Sequence, residues 1–270
     1  MRSSRLLALV TASLATLGAP LSAHEFWISP ERYQIAPGEA ILAELRVGEN
    51  LSGAGYPFIP SLAERHFILQ NGKVIDPGSG LGDRPAIDTL LETPGLAILV
   101  HETADSSLTY SDWEKFRAFT EHKDFTWALE AHTARGLPET GFRESYRRYG
   151  KSLIAVGDGK GADTNIGLLT ELVALRNPYT SPLPEGLPVQ VFAYGAPRSD
   201  AQVELFARSP EGEVTVTQHR TDSDGKVTLP LVPGTEYLVD AVLLEERTAN
   251  KEGDPVWHSL WASLSFRTPS

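Results

Sequence analysis

Apolar and polar residues alternate through most of this chain. YQIAPGEAILAELRVG places Ile41, Ala43, Leu45 and Val47 on one face of a strand, after a Pro-Gly turn at Pro37 and Gly38. RHFILQNGKVI sets Asn71-Gly72 between two short apolar runs, the pattern of a two-residue hairpin. Leu96 to Thr103 (LAILVHET) reads as a further strand. Together these define a first β domain over 24–110.

The period then lengthens. SDWEKFRAF offers Ser111 and Glu114 as a capping box, followed by Trp113, Phe116 and Phe119 at helical spacing. FTWALEAHTARG predicts a second helix, with Phe125, Leu129 and His132 on one stripe and Gly136 as its stop. GFRESYRRYGKSL predicts a third, grouping Phe142, Tyr146 and Tyr149. Residues 111–165 are therefore expected to form a helical insertion.

Alternation returns after the glycine-rich VGDGKGADTN. VQVFAY, AQVELFAR, VTVTQHRT, KVTLPL, EYLVDAVLL and LWASLSFR are short strands, with a Ser-Asp-Gly turn at Ser223 to Gly225. Their spacing of roughly ten residues fits an immunoglobulin-like or transthyretin-like sandwich over 166–270. The expected fold is all-β: two β-sandwich domains with a helical insertion between them. No internal repeat points to a solenoid or propeller.

The chain starts with Arg2 and Arg5, an apolar run from Leu6 to Leu17, and small residues at Ser22 and Ala23. That order is a secretory signal peptide over 1–23, too short in its apolar core to span a bilayer. The expected location is the periplasm, without stable membrane insertion. Cleavage after Ala23 makes His24 the amino terminus, with a free α-amine of pKa about 7.7–8.0 beside its imidazole. Amine and Nδ1 then close one chelate ring on a metal ion. Otherwise His24 is simply the residue that cleavage leaves.

The chain's net charge is −11, and loss of Arg2 and Arg5 makes it more negative still. An acidic surface argues against nucleic acid and is compatible with attracting cations. There are no cysteines, so an exported chain of this size relies on its core, and any metal site is built of nitrogen and oxygen. Such donors suit Ni(II), Co(II), Cu(II) or Zn(II).

Several motifs reduce to local structure. Gly157 to Gly161 lacks the spacing of a phosphate loop, and Asp222 with Asp224 lacks the calcium loop's closing Glu, since Pro233 stands there. No nucleophile elbow and no His-Glu-x-x-His helix is present. Seven histidines remain. His132 lies on an apolar stripe, where it is either a satisfied core residue or faces a site roofed by the helices. Strand alternation allows only one of His101 and Glu102 to face the interior. His66 opens a strand, His122 sits in a charged helix end, and His219 and His258 fit surface or packing roles. Trp257 and Trp261 share a strand face and read as core or interface.

The blocks HEFWISP, APGEAILAELRVGE, SDWEKF, WALEAHTARGLPETGF, SYRRYGKSLIAVG, ELVALRNPY, RTDSDGKVTLPL and SLWASLSF span the predicted mature chain. Their combination resembles the NikM/NikK-like periplasmic nickel/cobalt-uptake family of exported bacterial proteins. The resemblance implies a β-sandwich protein that binds a transition-metal ion beside a membrane uptake transporter. Among the matching residues, His24, Glu25 and His132 are able to bind metal. Leu243 and Leu244 stand where relatives often carry histidine, and His258 where an acidic residue is common.

The expectation is thus a metal-binding protein rather than an enzyme, with no catalytic residues. Nickel or cobalt comes first, and copper or zinc also suits the donors. His24 would supply two ligands, His132 and His101 further ones, and Glu25 or Glu102 an oxygen ligand or a carboxylate fixing a tautomer. A terminal-histidine copper protein, whether oxygenase or carrier, and a metal-free scaffold module are the alternatives.

Overall fold

The computed structural model describes residues 24–270; the expected signal peptide lies outside the described residues. The chain is mostly β, in three sheets with two short helices.

The first sheet pairs β1 (Glu25–Pro30), β3 (Ala40–Glu49), β4 (Ser52–Tyr56) and β7 (Ile87–Leu90). The central sheet takes strands from both halves of the chain. β5 (Ala63–Gln70), β6 (Lys73–Ile75), β8 (Gly95–Thr103) and β9 (Ser106–Tyr110) come before the long β10 (Phe142–Val156). β14 (Gln202–Arg208), β15 (Val214–Arg220), β17 (Glu236–Glu246) and β18 (Trp257–Arg267) follow it, and β2 (Gln34–Ile35) adds to its edge. The third sheet is β11 (Thr170–Ala174), β12 (Leu187–Ala193), β13 (Ala196–Pro197) and β16 (Lys226–Leu229).

The central order is β15-β14-β17-β18-β10-β8-β5-β6. β10 joins its halves: it runs antiparallel to β8 and β9 on one side and parallel to β18 on the other, with Glu144 opposite Trp257. A boundary drawn between the two β regions therefore runs through a shared sheet.

Alternation along the central strands assigns their faces. Tyr149, Leu153, Val203, Leu205, Tyr237, Val239, Leu260 and Leu264 pack against the third sheet. The other face is covered in two parts. The first sheet lays Phe26, Ile28, Ile41 and Leu45 over Ile68, Leu99 and Ile154. The helices α1 (Trp113–His122) and α2 (Trp127–Ala134) set Phe116, Phe119 and Ala128 on Phe142, Val242, Trp257 and Trp261.

The expected third helix is instead the first half of β10. Phe142 and Tyr146 are four apart, a spacing that keeps residues on one side of a helix and of a strand alike. Pairing along both edges of this segment decides in favour of the strand. The cap of α1 is also displaced by one residue: Asp112, not Ser111, accepts the Glu114 amide at 3.0 Å. The Asn71-Gly72 hairpin forms as expected, with both residues at positive φ, 51° and 74°.

Two buried lysines tie the layers together. Lys151 on β10 meets Asp163 at 2.7 Å and Glu171 at 3.0 Å, and donates to the Thr164 and Leu172 carbonyls. Lys123, just past α1, meets Glu25 at 3.2 Å, Asp240 at 3.0 Å and Glu204 more closely still.

Candidate functional site

A gap between the first sheet and α1 opens over the face that β10 shares with β18. Two cavities fill it, of about 230 Å³ and 380 Å³, and Tyr56, Tyr146 and Arg148 line both. His101 lines the smaller one and His24 the larger.

His24 stands at the head of β1, where Glu25 pairs with Gly48 at the end of β3. Its Nε2 lies 4.0 Å from Glu49 Oε1. At that distance, with both side chains partly exposed, Glu49 is a charged neighbour of the imidazole and not a hydrogen-bond partner.

His101 belongs to a chain of hydrogen bonds that sets its tautomer. The Ser79 hydroxyl donates to the Ala86 carbonyl at 2.5 Å, so its oxygen accepts from His66 Nε2 at 3.0 Å. His66 Nδ1 is then an acceptor, and His101 Nδ1, 3.0 Å away, donates to it. The lone pair of His101 falls on Nε2. Burial, with His66 beside it, holds the His101 imidazole far below its ordinary range, at about 3, and burial lowers His66 as well. Both rings are neutral at pH 7.

The other three expected ligands are occupied elsewhere. His132 is a satisfied core residue: Nδ1 accepts from Trp257 Nε1 at 3.1 Å, and Nε2 lies 3.0 Å from the Pro138 carbonyl. Glu102 pairs with Arg65 at 2.5 Å and Arg147 at 3.1 Å. Glu25 faces Lys123. Among the described residues, the group of His, Asp and Glu side chains whose ligand atoms lie within 4.8 Å of one another is Glu25, Glu204 and Asp240. The structure thus does not gather the five residues around one point. In that acidic group the Lys123 ammonium already supplies a cation.

Burial pushes the Glu25 and Asp240 carboxyls up against the pull of Lys123. Burial also acts upward on Glu204, but a hydrogen bond from His122 and the Lys123 charge outweigh it and hold this carboxyl at about 2. His122 is the exposed last residue of α1, as expected, and its Nε2 reaches in to 2.9 Å from the buried Glu204. Strand alternation also misled for His101 and Glu102. Both are buried, because β8 is covered on both faces.

Glu144 lines the larger cavity from below. Its oxygens accept from the Tyr110 hydroxyl at 2.8 Å and from the Ser259 hydroxyl, yet burial still pushes its pKa up to about 7. A carboxyl raised in the folded state contributes stability that is complete below its unfolded pKa and lost as pH rises through 7. Glu144→Gln is expected to leave stability unchanged near pH 4 and raise it at pH 8 by roughly 2–3 kcal/mol. Urea unfolding at both pH values measures this; an equal effect at the two would refute it.

Residues 21–245 match the family described as a domain of unknown function (DUF4198), and the chain belongs to that family. No curated protein matches it. Among solved structures, a Salmonella alpha-2-macroglobulin is similar at 14% identity and a TM-score of 0.25 over 96% of this chain, which spans 16% of that one. The D0-D1 domain of Intimin is 12% identical over 89% of this chain and 97% of its own, with a TM-score of 0.20. A tetra-tandem repeat from the extending region of a large adhesion protein is 10% identical over 90% and 49%, with a TM-score of 0.21. Likenesses at this level define no function. No helix among the described residues is long and apolar enough to cross a membrane.

The residues that sequence reasoning missed are Glu49, His66 and Arg148. Only for His66 did a signal exist: setting RHFIL against AILVHE in antiparallel register brings the two histidines opposite each other.

Proposed function

We propose that this protein is a periplasmic transition-metal binding protein, nickel or cobalt being the cargo, that serves a membrane uptake system. Cleavage before His24 gives its terminal amine and Nδ1 to the ion. Glu49 adds a negative charge beside the ion, and His101, with its lone pair on Nε2, offers a second imidazole in the adjoining cavity. His132, Glu25 and Glu102 take no part. The observation that supports this reading is the position of His24, at the head of β1, lining a cavity with Glu49 4.0 Å from its Nε2. A shell this incomplete suits reversible capture better than a closed structural site.

Titration calorimetry with Ni(II), Co(II), Cu(II) and Zn(II) tests it, on protein whose mass shows that it begins at His24. Tight one-to-one binding of Ni(II) or Co(II) is expected. One alanine added before His24 removes the chelating amine and should abolish it, and Glu49→Gln should weaken it by roughly tenfold or more. Equal binding by the native and extended forms would overturn the assignment. Preference for Cu(II), with turnover in the presence of reductant, would favour an oxygenase.

A further inference from the structure

Arg148 lines both cavities of this face and has no ion-pair partner among the described residues. Its Nε is buried without a hydrogen-bond partner, and among the described residues no carboxylate lies within the 4.0 Å of an ion pair. The guanidinium stacks 4.6 Å from the centre of the Tyr146 ring. Glu144, two residues before Tyr146 on the same face of β10, has its oxygens tied to Tyr110 and Ser259 and does not pair with Arg148. An orphaned buried donor costs about 1–3 kcal/mol.

The smaller cavity suggests a use for it. Arg148 reaches it between Tyr56 and Tyr146, and Phe26, Leu45, Ile59 and Leu62 supply apolar wall. With His101 neutral, Arg148 is its only charge. One planar guanidinium against an apolar, aromatic enclosure matches one carboxylate on a compact apolar body, held by two parallel N–H···O bonds. A phosphate, with more charge, asks for more than the single cation this wall offers beside the Thr103, Ser106 and tyrosine hydroxyls. Apolar walls with a few convergent polar groups are the usual makeup of small-molecule sites.

We propose that this cavity binds a small organic carboxylate, its carboxylate forked on Arg148 and its body lying against Tyr56, Tyr146 and the aliphatic wall. The site adjoins the proposed metal site, with His101 in its wall, but makes no use of the His24 chelate.

The test uses the processed chain, stripped of metal with a chelator, and titrates it calorimetrically with benzoate, the neutral isostere benzamide, and inorganic phosphate. Benzoate should bind saturably one-to-one, with benzamide at least about tenfold weaker. Arg148→Gln should lose benzoate binding with little change in melting temperature, because the guanidinium has no ion-pair partner and gives up only its stacking on Tyr146; Arg148→Lys should restore only part. Undiminished benzoate binding by Arg148→Gln, phosphate binding as tight as benzoate, or no saturable binding of benzoate at millimolar concentration would each overturn the proposal. The comparison of benzoate with benzamide is made on the native chain, so it stands whether or not the variants fold. Benzoate binding by the alanine-extended form should equal that of the native form, which separates failure here from failure of the metal reading.

Discussion

Lys151→Met is expected to lower stability by about 3–5 kcal/mol, the range for breaking a buried ion pair and leaving its partners charged. Lys151 is 1% exposed and faces two carboxylates that are themselves buried. Asp163 and Glu171 also organise the loop between β10 and β11. Asp163 accepts the Thr164 and Ala174 amides, and Glu171 those of Ile166 and Leu168. Without the ammonium, these carboxylates must protonate, or the loop must open to hydrate them. For a chain of this size the loss corresponds to roughly 10 °C in Tm. Thermal and urea unfolding measure it. Adding Asp163→Asn and Glu171→Gln to the same variant should return much of the deficit, since neutral amides no longer demand a counter-charge. A Lys151→Met variant as stable as the native chain would show that the pair contributes nothing net.

Lys123→Met should cost at least as much, about 3–5 kcal/mol or more, because three carboxylates converge on this one ammonium. The Lys123 pKa is raised: burial opposes the charge, but Asp240, Glu204 and Glu25 together outweigh it. The substitution also has a functional arm. Glu25 directly follows His24, so Lys123 anchors the first residues of β1 to α1, β14 and β17. If the metal-binding proposal holds, the variant should lose metal affinity as well as stability, and limited proteolysis should cut near residue 24 before it cuts the central sheet. Proteolysis that begins elsewhere would break the link between this cluster and the head of β1.

What the sequence made legible was periodicity. The strands, the Asn71-Gly72 hairpin and the two short helices follow from local spacing and turn chemistry. The segment 142–149 misled because residues four apart share a side in both kinds of element, and only strand partners remote in sequence settle the matter. Of the candidate cavity, one lining residue, His24, drew attention in the sequence, through its place after the expected cleavage. His101 gained its meaning from His66 across the sheet, and His132 turned out to be a core residue held by Trp257. Lys123 and Lys151 were invisible for a general reason: lysine is ordinarily a surface residue, and nothing local marks the few that are surrounded by acids.

The parallel pairing of β10 with β18 has a consequence for timing. Residues 144–152 of the central strand cannot find their partner until 257–265 exist, so a chain emerging amino end first holds an open sheet edge through most of its appearance. The last strand closes the sheet by inserting between β10 and β17, rather than adding to a finished rim. Completion of the central sheet is thereby postponed until residues 257–265 are out, and a chain truncated ahead of Trp257 would remain a substrate for proteases and chaperones instead of becoming a smaller working protein.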